Sequence, residues 1–158
     1  MPPATNPDCL LAQYEFGLAE ESLKTIEAIP EGHRSQEFNR LLIPRCRPIV
    51  EAIGHRMVYE VAIAAGVDPD LIALYEVGIV KDNLSWFVES GMLTRASVLE
   101  MENKALDAIQ PRLNDLLDQL SIAPYCTAPI ISESMWETFV GDLEEYKGNA
   151  EYPLFDII

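Results

Sequence analysis

The sequence predicts an all-α chain, a bundle of about five helices. Three observations point there. Apolar residues recur every three to four positions over long stretches, the spacing that gathers them on one side of a helix. Alternation at every second position, which a half-buried strand requires, is missing, and β-branched clusters are short. Helix starts and stops come in pairs, with an oxygen-bearing cap or a proline in front and a glycine behind.

Residues 1–7 carry three prolines and no periodicity, and read as an extended lead-in. Asp8 is the expected cap of a first helix over 9–29, with Leu10, Leu11, Tyr14, Leu18 and Ile26 on one side and Glu20, Glu21, Lys24 and Glu27 on the other. Pro30-Glu31-Gly32 ends it, and a loop leads to a short helical turn around 38–42. A second long helix, a core helix, is expected over 48–65, its apolar stripe formed by Ile49, Val50, Ile53, Met57, Val61 and Ala64. Pro44 and Pro48 bracket its start, where a missing N–H forfeits no intrahelical bond, and Gly66 stops it.

Asp68-Pro69 opens a third helix to about residue 89, closed by Gly91. Thr94 caps a fourth over 95–120, with Val98, Leu99, Leu106, Ile109, Leu113, Leu116, Leu117 and Leu120 along its inner face and a kink expected at Pro111. A connection with Pro124 and Pro129 follows. Ser134, with Glu137 three positions on, reads as a capping box opening a fifth helix to Lys147, with Gly148 beyond it. The apolar tail 149–158 is expected to dock. The whole of 1–158 reads as a single helical domain.

Charge and composition narrow the function. Eleven Lys and Arg against 26 Asp and Glu give a net charge of -15, which repels phosphate backbones and anionic leaflets, so no nucleic-acid or membrane partner is expected. No two glycines are closer than seven positions, too sparse to wrap a phosphate in bare amides. His33 and His55, without C-x-x-C or H-E-x-x-H spacing, predict no metal site. Cys9, Cys46 and Cys126 leave one thiol unpaired in any arrangement. With no leader or membrane span in sight, these thiols point to a cytoplasmic protein.

The charge is also uneven. Residues 33–56 hold Arg34, Arg40, Arg45, Arg47 and Arg56 against Glu37 and Glu51, a local balance of +3. Residues 113–158 set nine acids against Lys147. Arg45, Arg47 and Arg56 are therefore candidate ligand-binding residues for a phosphate or carboxylate. The alternative is that these cations meet acidic faces of the bundle or of a second subunit. Glu51, His55 and Tyr59 fall at i, i+4 and i+8, a row that places an imidazole between an acceptor and a phenol, and they are the candidate catalytic residues. The alternative is an interfacial histidine beside an ordinary Arg56–Glu60 pair. Asp82, among Ile79, Trp86 and Phe87, is a further candidate ligand-binding residue and a candidate buried carboxylate with Arg56 or another arginine of the basic segment as partner, unless it faces water. Cys46 lies between two arginines that favour its thiolate.

The order Leu74-Tyr75, Asp82, Phe87, Gly91-Met92-Leu93, Pro111 and Leu116-Leu117-Asp118 resembles the second C-terminal helical domain of the acyl-CoA oxidases. The runs Pro44-Arg45-Cys46-Arg47-Pro48 through Met57 and Pro124-Tyr125-Cys126-Thr127-Ala128-Pro129-Ile130 resemble the diverged acyl-CoA dehydrogenase-like branch found in fungi. The similarity spans roughly 10–146. The resemblance implies a flavoprotein family in which a glutamate takes the α-proton of an acyl-CoA and the β-hydride goes to FAD. It implies no flavin bound by this chain alone, because no residue matches the catalytic glutamate motif or the flavin contacts of that family. The implied role is a stand-alone or truncated helical partner or dimerisation module, forming a homodimer or seating on a flavoprotein. An alternative is a small helical enzyme catalysing proton transfer or cyclisation on an acyl or polyketide-like ligand. The chain ends in Asp156-Ile157-Ile158 without a Ser-Lys-Leu type signal, so any peroxisomal association is expected through a partner.

Overall fold

A computed structural model describes residues 3–122, 125–145 and 148. Among the described residues every regular element is a helix and no strand occurs, as the periodicity predicts. The chain divides into two compact units, the first ending at Arg112 and the second beginning at Leu113. The first contains α1 (Leu10–Glu27), a 3-10 turn (Gly32–Arg34), α2 (Gln36–Leu41), α3 (Ile43–Ala64), α4 (Pro69–Asp82), α5 (Leu84–Glu89), α6 (Arg95–Ile109) and a closing 3-10 turn (Gln110–Arg112). The second contains α7 (Leu113–Gln119), a 3-10 turn (Pro129–Ile131) and α8 (Glu133–Gly141).

Several helix ends differ from the sequence expectation for local reasons. Cys9, not Asp8, occupies the N-cap of α1, in extended backbone and without a side-chain cap bond. The Asp8 N–H donates instead to Asn6 Oδ1 at 3.1 Å. α3 begins at Ile43, so Pro48 lies inside it. Only Leu42 separates it from α2, donating its N–H to Phe38 O at 2.9 Å and accepting from Arg45 N–H at 2.9 Å. Pro44 takes the N2 place, where no backbone donor is needed.

The expected third helix is broken at Asn83, whose backbone leaves the helical region (φ -118°, ψ 27°). Its side-chain amide donates to Ile79 O at 2.9 Å, while its Oδ1 accepts the Tyr14 hydroxyl at 2.7 Å. An asparagine that bonds a nearby backbone carbonyl competes with helix continuation. Asp68 does cap α4, accepting from Asp70 N–H at 2.9 Å with Pro69 at N1. Thr94 caps α6 through a box completed by Ser97. Gly66 and Gly91 end their helices at φ +70° and +73°, where a side chain would be strained. Pro111 interrupts α-helical bonding as expected, and the local result is the 3-10 turn.

The core of the first unit is Tyr14, Ala52, Val80, Phe87 and Val98, with Leu10, Leu18, Leu84, Trp86, Met92 and Leu93 packed against it. Tyr14, Trp86 and Phe87 form a ring cluster with centroids 4.9–5.3 Å apart. Gly17 lets the six-membered ring of Trp86 lie directly on α1, since a Cβ there would overlap it. Antiparallel pairings surround this core. Arg45 reaches Thr25 and Arg56 reaches Glu15 between α3 and α1, and Lys81 meets Glu102 between α4 and α6. Arg112 grips Asp68 at 2.6 Å and Asp70 at 2.7 Å, fastening the end of α6 to the start of α4.

Only part of the apolar stripe read from the sequence on α3 is covered, Ile49 and Ile53 being half-buried. Ala52 and Arg56 are the buried positions, each 1% exposed, whereas Val50, Met57 and Val61 are open to solvent. The ion pair to Glu15 draws Arg56 inward, and this rotation about the helix axis turns the Val50–Val61 row out. On α6, Val98 and Ile109 are buried as expected, but Leu99 and Leu106 are exposed.

In the second unit Ser132 caps α8, accepting from Met135 N–H at 3.2 Å. The predicted Ser134–Glu137 box does not form, because Ser134 is already inside the helix. The helix stops at Gly141, not Lys147. Asp142, Glu144 and Glu145 follow its end, where negative charge opposes the helix dipole. Leu113, Leu117 and Leu120 are exposed, and Trp136 stacks on Phe139 at 5.7 Å. The expected docking tail 149–158 lies outside the described residues.

Candidate functional site

Among the described residues no hydrogen bond joins Glu51, His55 and Tyr59 to one another. Glu51 is exposed and accepts from Arg47 Nε at 2.7 Å. His55 Nδ1 lies 3.0 Å from the hydroxyl of Tyr75 on α4, a residue the sequence reading did not single out for chemistry. Tyr59 faces a different set of groups, described below. Periodicity places the three side chains in one row, but Glu51 pairs within α3 while α4 sets Tyr75 against His55 and Glu76 near Tyr59.

The arginines are likewise dispersed. Arg45 donates to Thr25 Oγ1 at 3.1 Å and to Leu41 O at 3.2 Å, while Arg47 is held by Glu51. Two residues apart on a helix, they point to roughly opposite sides and do not form one fork. Arg56 is buried, with Glu15 and with Glu60 at 2.7 Å among its partners. Glu60 also accepts the Thr5 N–H at 2.6 Å, which ties the lead-in segment to α3. Asp82 is exposed, so the buried-carboxylate reading and its pairing with Arg56 are overturned, and the charge faces water as the alternative had it. Cys46 is a free thiol whose contact is Leu42 O at 3.5 Å.

The chemically distinctive place is a groove of about 520 Å³ between the end of α3 and α4. Tyr59 and Glu76 supply its polar groups, and Ile63, Val67, Ile72 and Ala73 are among its walls. Burial pushes the Glu76 carboxyl above the ordinary glutamate value. The Tyr59 phenol is raised too, by burial first and then by the charges of Glu76 and Cys9. Glu76 makes no hydrogen bond or ion pair among the described residues. Sequence reasoning missed it, although a signal existed: it sits on the row Ile72, Glu76, Val80, an acid in an otherwise apolar helical stripe.

The raised value has a definite consequence for stability. The fold favours protonated Glu76, so its stabilising effect is complete below the ordinary glutamate range and is lost as pH rises through the raised value. Glu76→Gln is expected to remove this step and to make the protein more resistant to urea at neutral pH. Urea midpoints measured for both proteins across the acidic to neutral range check it. Parallel curves would contradict the assignment.

No protein-family model, curated protein or solved structure matches the chain. Among the described residues no group of three or more His, Cys, Asp or Glu is placed to hold a metal ion. No described helix is long and apolar enough to cross a membrane.

Proposed function

We propose that the chain is a helical interaction module that pairs with a second copy of itself through the outward row of α3. In this reading it is a stand-alone or truncated counterpart of the acyl-CoA oxidase C-terminal helical domain, with FAD and acyl-CoA chemistry residing on a flavoprotein partner. One observation carries it. Ile43, Val50, Met57 and Val61 are 56%, 67%, 39% and 66% exposed along a single face of α3, opposite the buried Ala52 and Arg56. Contiguous exposed apolar surface of this kind marks interaction sites.

The row favours a second copy as its occupant. It is nearly symmetric about Gly54, with Val50 on one side and Met57 and Val58 on the other, so a two-fold axis there sets like surface on like surface. A Cβ at Gly54 would meet no atom of the described residues within 4 Å, leaving room for close helix approach. Ile43 and Val50 of the row lie in the stretch 33–56 with its local balance of +3, so this half of the contact is free of the acidic excess behind the net charge of -15. The residues behind the family resemblance fit a structural role. Phe87 is core, Gly91 is a helix stop and Pro111 marks a helix break. The alternative, an enzyme working through Glu51, His55 and Tyr59, has no grouping of those side chains to support it.

Light scattering after size exclusion tests the reading. A wild-type dimer that becomes monomeric in Val50→Glu/Val61→Glu, but not in the α1 surface control Leu23→Glu, is the expected result. A wild-type monomer up to the solubility limit would overturn it. Flavin absorbance in the purified chain would overturn the assignment of the cofactor to a partner.

A further inference from the structure

The α3–α4 groove lies apart from the outward row of α3, and its reading does not rest on self-pairing. We propose that it binds a primary amine with an apolar body, an alkylamine or arylalkylamine. The walls give the body a place: Ile63 and Val67 from the α3 side, Ile72 and Ala73 from α4. A volume of about 520 Å³ suits a small organic molecule. The polar end is set by two groups. The Glu76 carboxyl is partly buried and has no hydrogen bond or ion pair among the described residues, so an ammonium would supply the counter-charge that an ionised carboxylate in an apolar setting requires. Tyr59 adds a hydroxyl acceptor and an aromatic face, both of which favour a cation.

The alternatives fit less well. Among the described residues no Lys, Arg or His lines the groove, and an anionic ligand would meet Glu76 within a chain of net charge -15. A neutral hydroxyl would donate to the carboxylate but leave its charge without a counter-ion. Binding involves no covalent step. The ammonium donates to the Glu76 carboxylate and to the Tyr59 oxygen, and the apolar body displaces water from the walls.

The test is an NMR titration of the full chain, isotopically labelled, with 2-phenylethylamine. Shifts are expected in the amides of Tyr59, Ile63, Ile72 and Glu76. The carboxyl carbon of Glu76 is expected to titrate at lower pH with the amine present. Glu76→Gln should weaken binding about tenfold, as loss of a charge-assisted bond predicts, and Tyr59→Phe should weaken it less. 2-Phenylethanol and 3-phenylpropionate serve as neutral and anionic probes. Either of them binding as tightly as the amine would overturn the proposal, as would undiminished binding to Glu76→Gln or shifts confined to other elements. Nα-acetyl-lysine methylamide carries the same ammonium on a protein side chain. Tighter binding of it than of 2-phenylethylamine would assign the groove to a partner's lysine and overturn the free amine. The titration is read from the groove alone, so its failure leaves the oligomeric state of the chain untouched.

Discussion

Replacing Arg56 by methionine is expected to destabilise the first unit by about 3–5 kcal/mol, the usual cost of removing one member of a buried ion pair. Arg56 is 1% exposed and holds Glu15 and Glu60, whose side chains are 21% and 13% exposed. Without the guanidinium, two nearly buried carboxylates face each other uncompensated. Their repulsion also changes the pH dependence. Burial pushes the Glu60 carboxyl up, but the bond from the Thr5 N–H and the Arg56 guanidinium outweigh it and hold the group below the ordinary glutamate value. Glu60 therefore stabilises the wild type above the ordinary glutamate range, and that contribution is lost as pH falls through its lowered value. In Arg56→Met the carboxylates prefer to be protonated, so the penalty should be largest at neutral pH and shrink in acid. Urea unfolding at several pH values checks both magnitude and trend. A penalty below about 1 kcal/mol at neutral pH would place the group among surface pairs, contrary to its burial. Replacing Glu15, Arg56 and Glu60 together by apolar residues is expected to recover most of the loss.

Phe87→Ala is expected to cost about 3–5 kcal/mol through lost burial and the cavity left behind. Phe87 is fully buried, edge-on to Trp86 at 5.2 Å and tilted on Tyr14 at 5.3 Å. Its removal leaves two aromatic neighbours without a packing partner at the junction of α1 and α5. Near-ultraviolet circular dichroism should lose intensity with the stability, because Trp86 would no longer sit in one rigid setting. Phe87→Leu, which keeps more of the volume, is expected to cost well under the alanine value. Equal stability of the alanine variant and the wild type would mean that the ring cluster is not the core.

The parts of this fold written in short-range signals were legible. Asp68-Pro69, Thr94, Gly66, Gly91 and Pro111 each act within one helical turn, and each does what its chemistry dictates. What escaped depends on distant partners. Asn83 breaks a helix with help from Tyr14, which lies 69 positions away. The apolar row of α3 was visible as a row, but periodicity carries no sign, and which side turns inward is decided by Glu15, 41 positions from Arg56. Arg56 was therefore read as a possible ligand group when it is a buried anchor. Asp82 is placed in the core by its apolar neighbours in sequence, although Lys81 and Asp82, next after the buried Ile79 and Val80, both turn to solvent. Glu76 went unnoticed because nothing in its immediate sequence says that Tyr59 and Ile63 stand opposite.

The latch between Tyr14 and Asn83 bears on the order in which the chain assembles. α3 and α4 are consecutive and pair antiparallel across a short turn, so their association closes little loop. α1 must close far more chain before the Tyr14–Asn83 and Glu21–Trp86 bonds can form, over 69 and 65 positions, and the entropic cost of closure grows with that span. α1 is thus expected to meet α3 first, over the 20 positions between Thr25 and Arg45, and to latch onto Asn83 and Trp86 last. Native-state hydrogen exchange should find its amides opening at a lower free energy than those of α4.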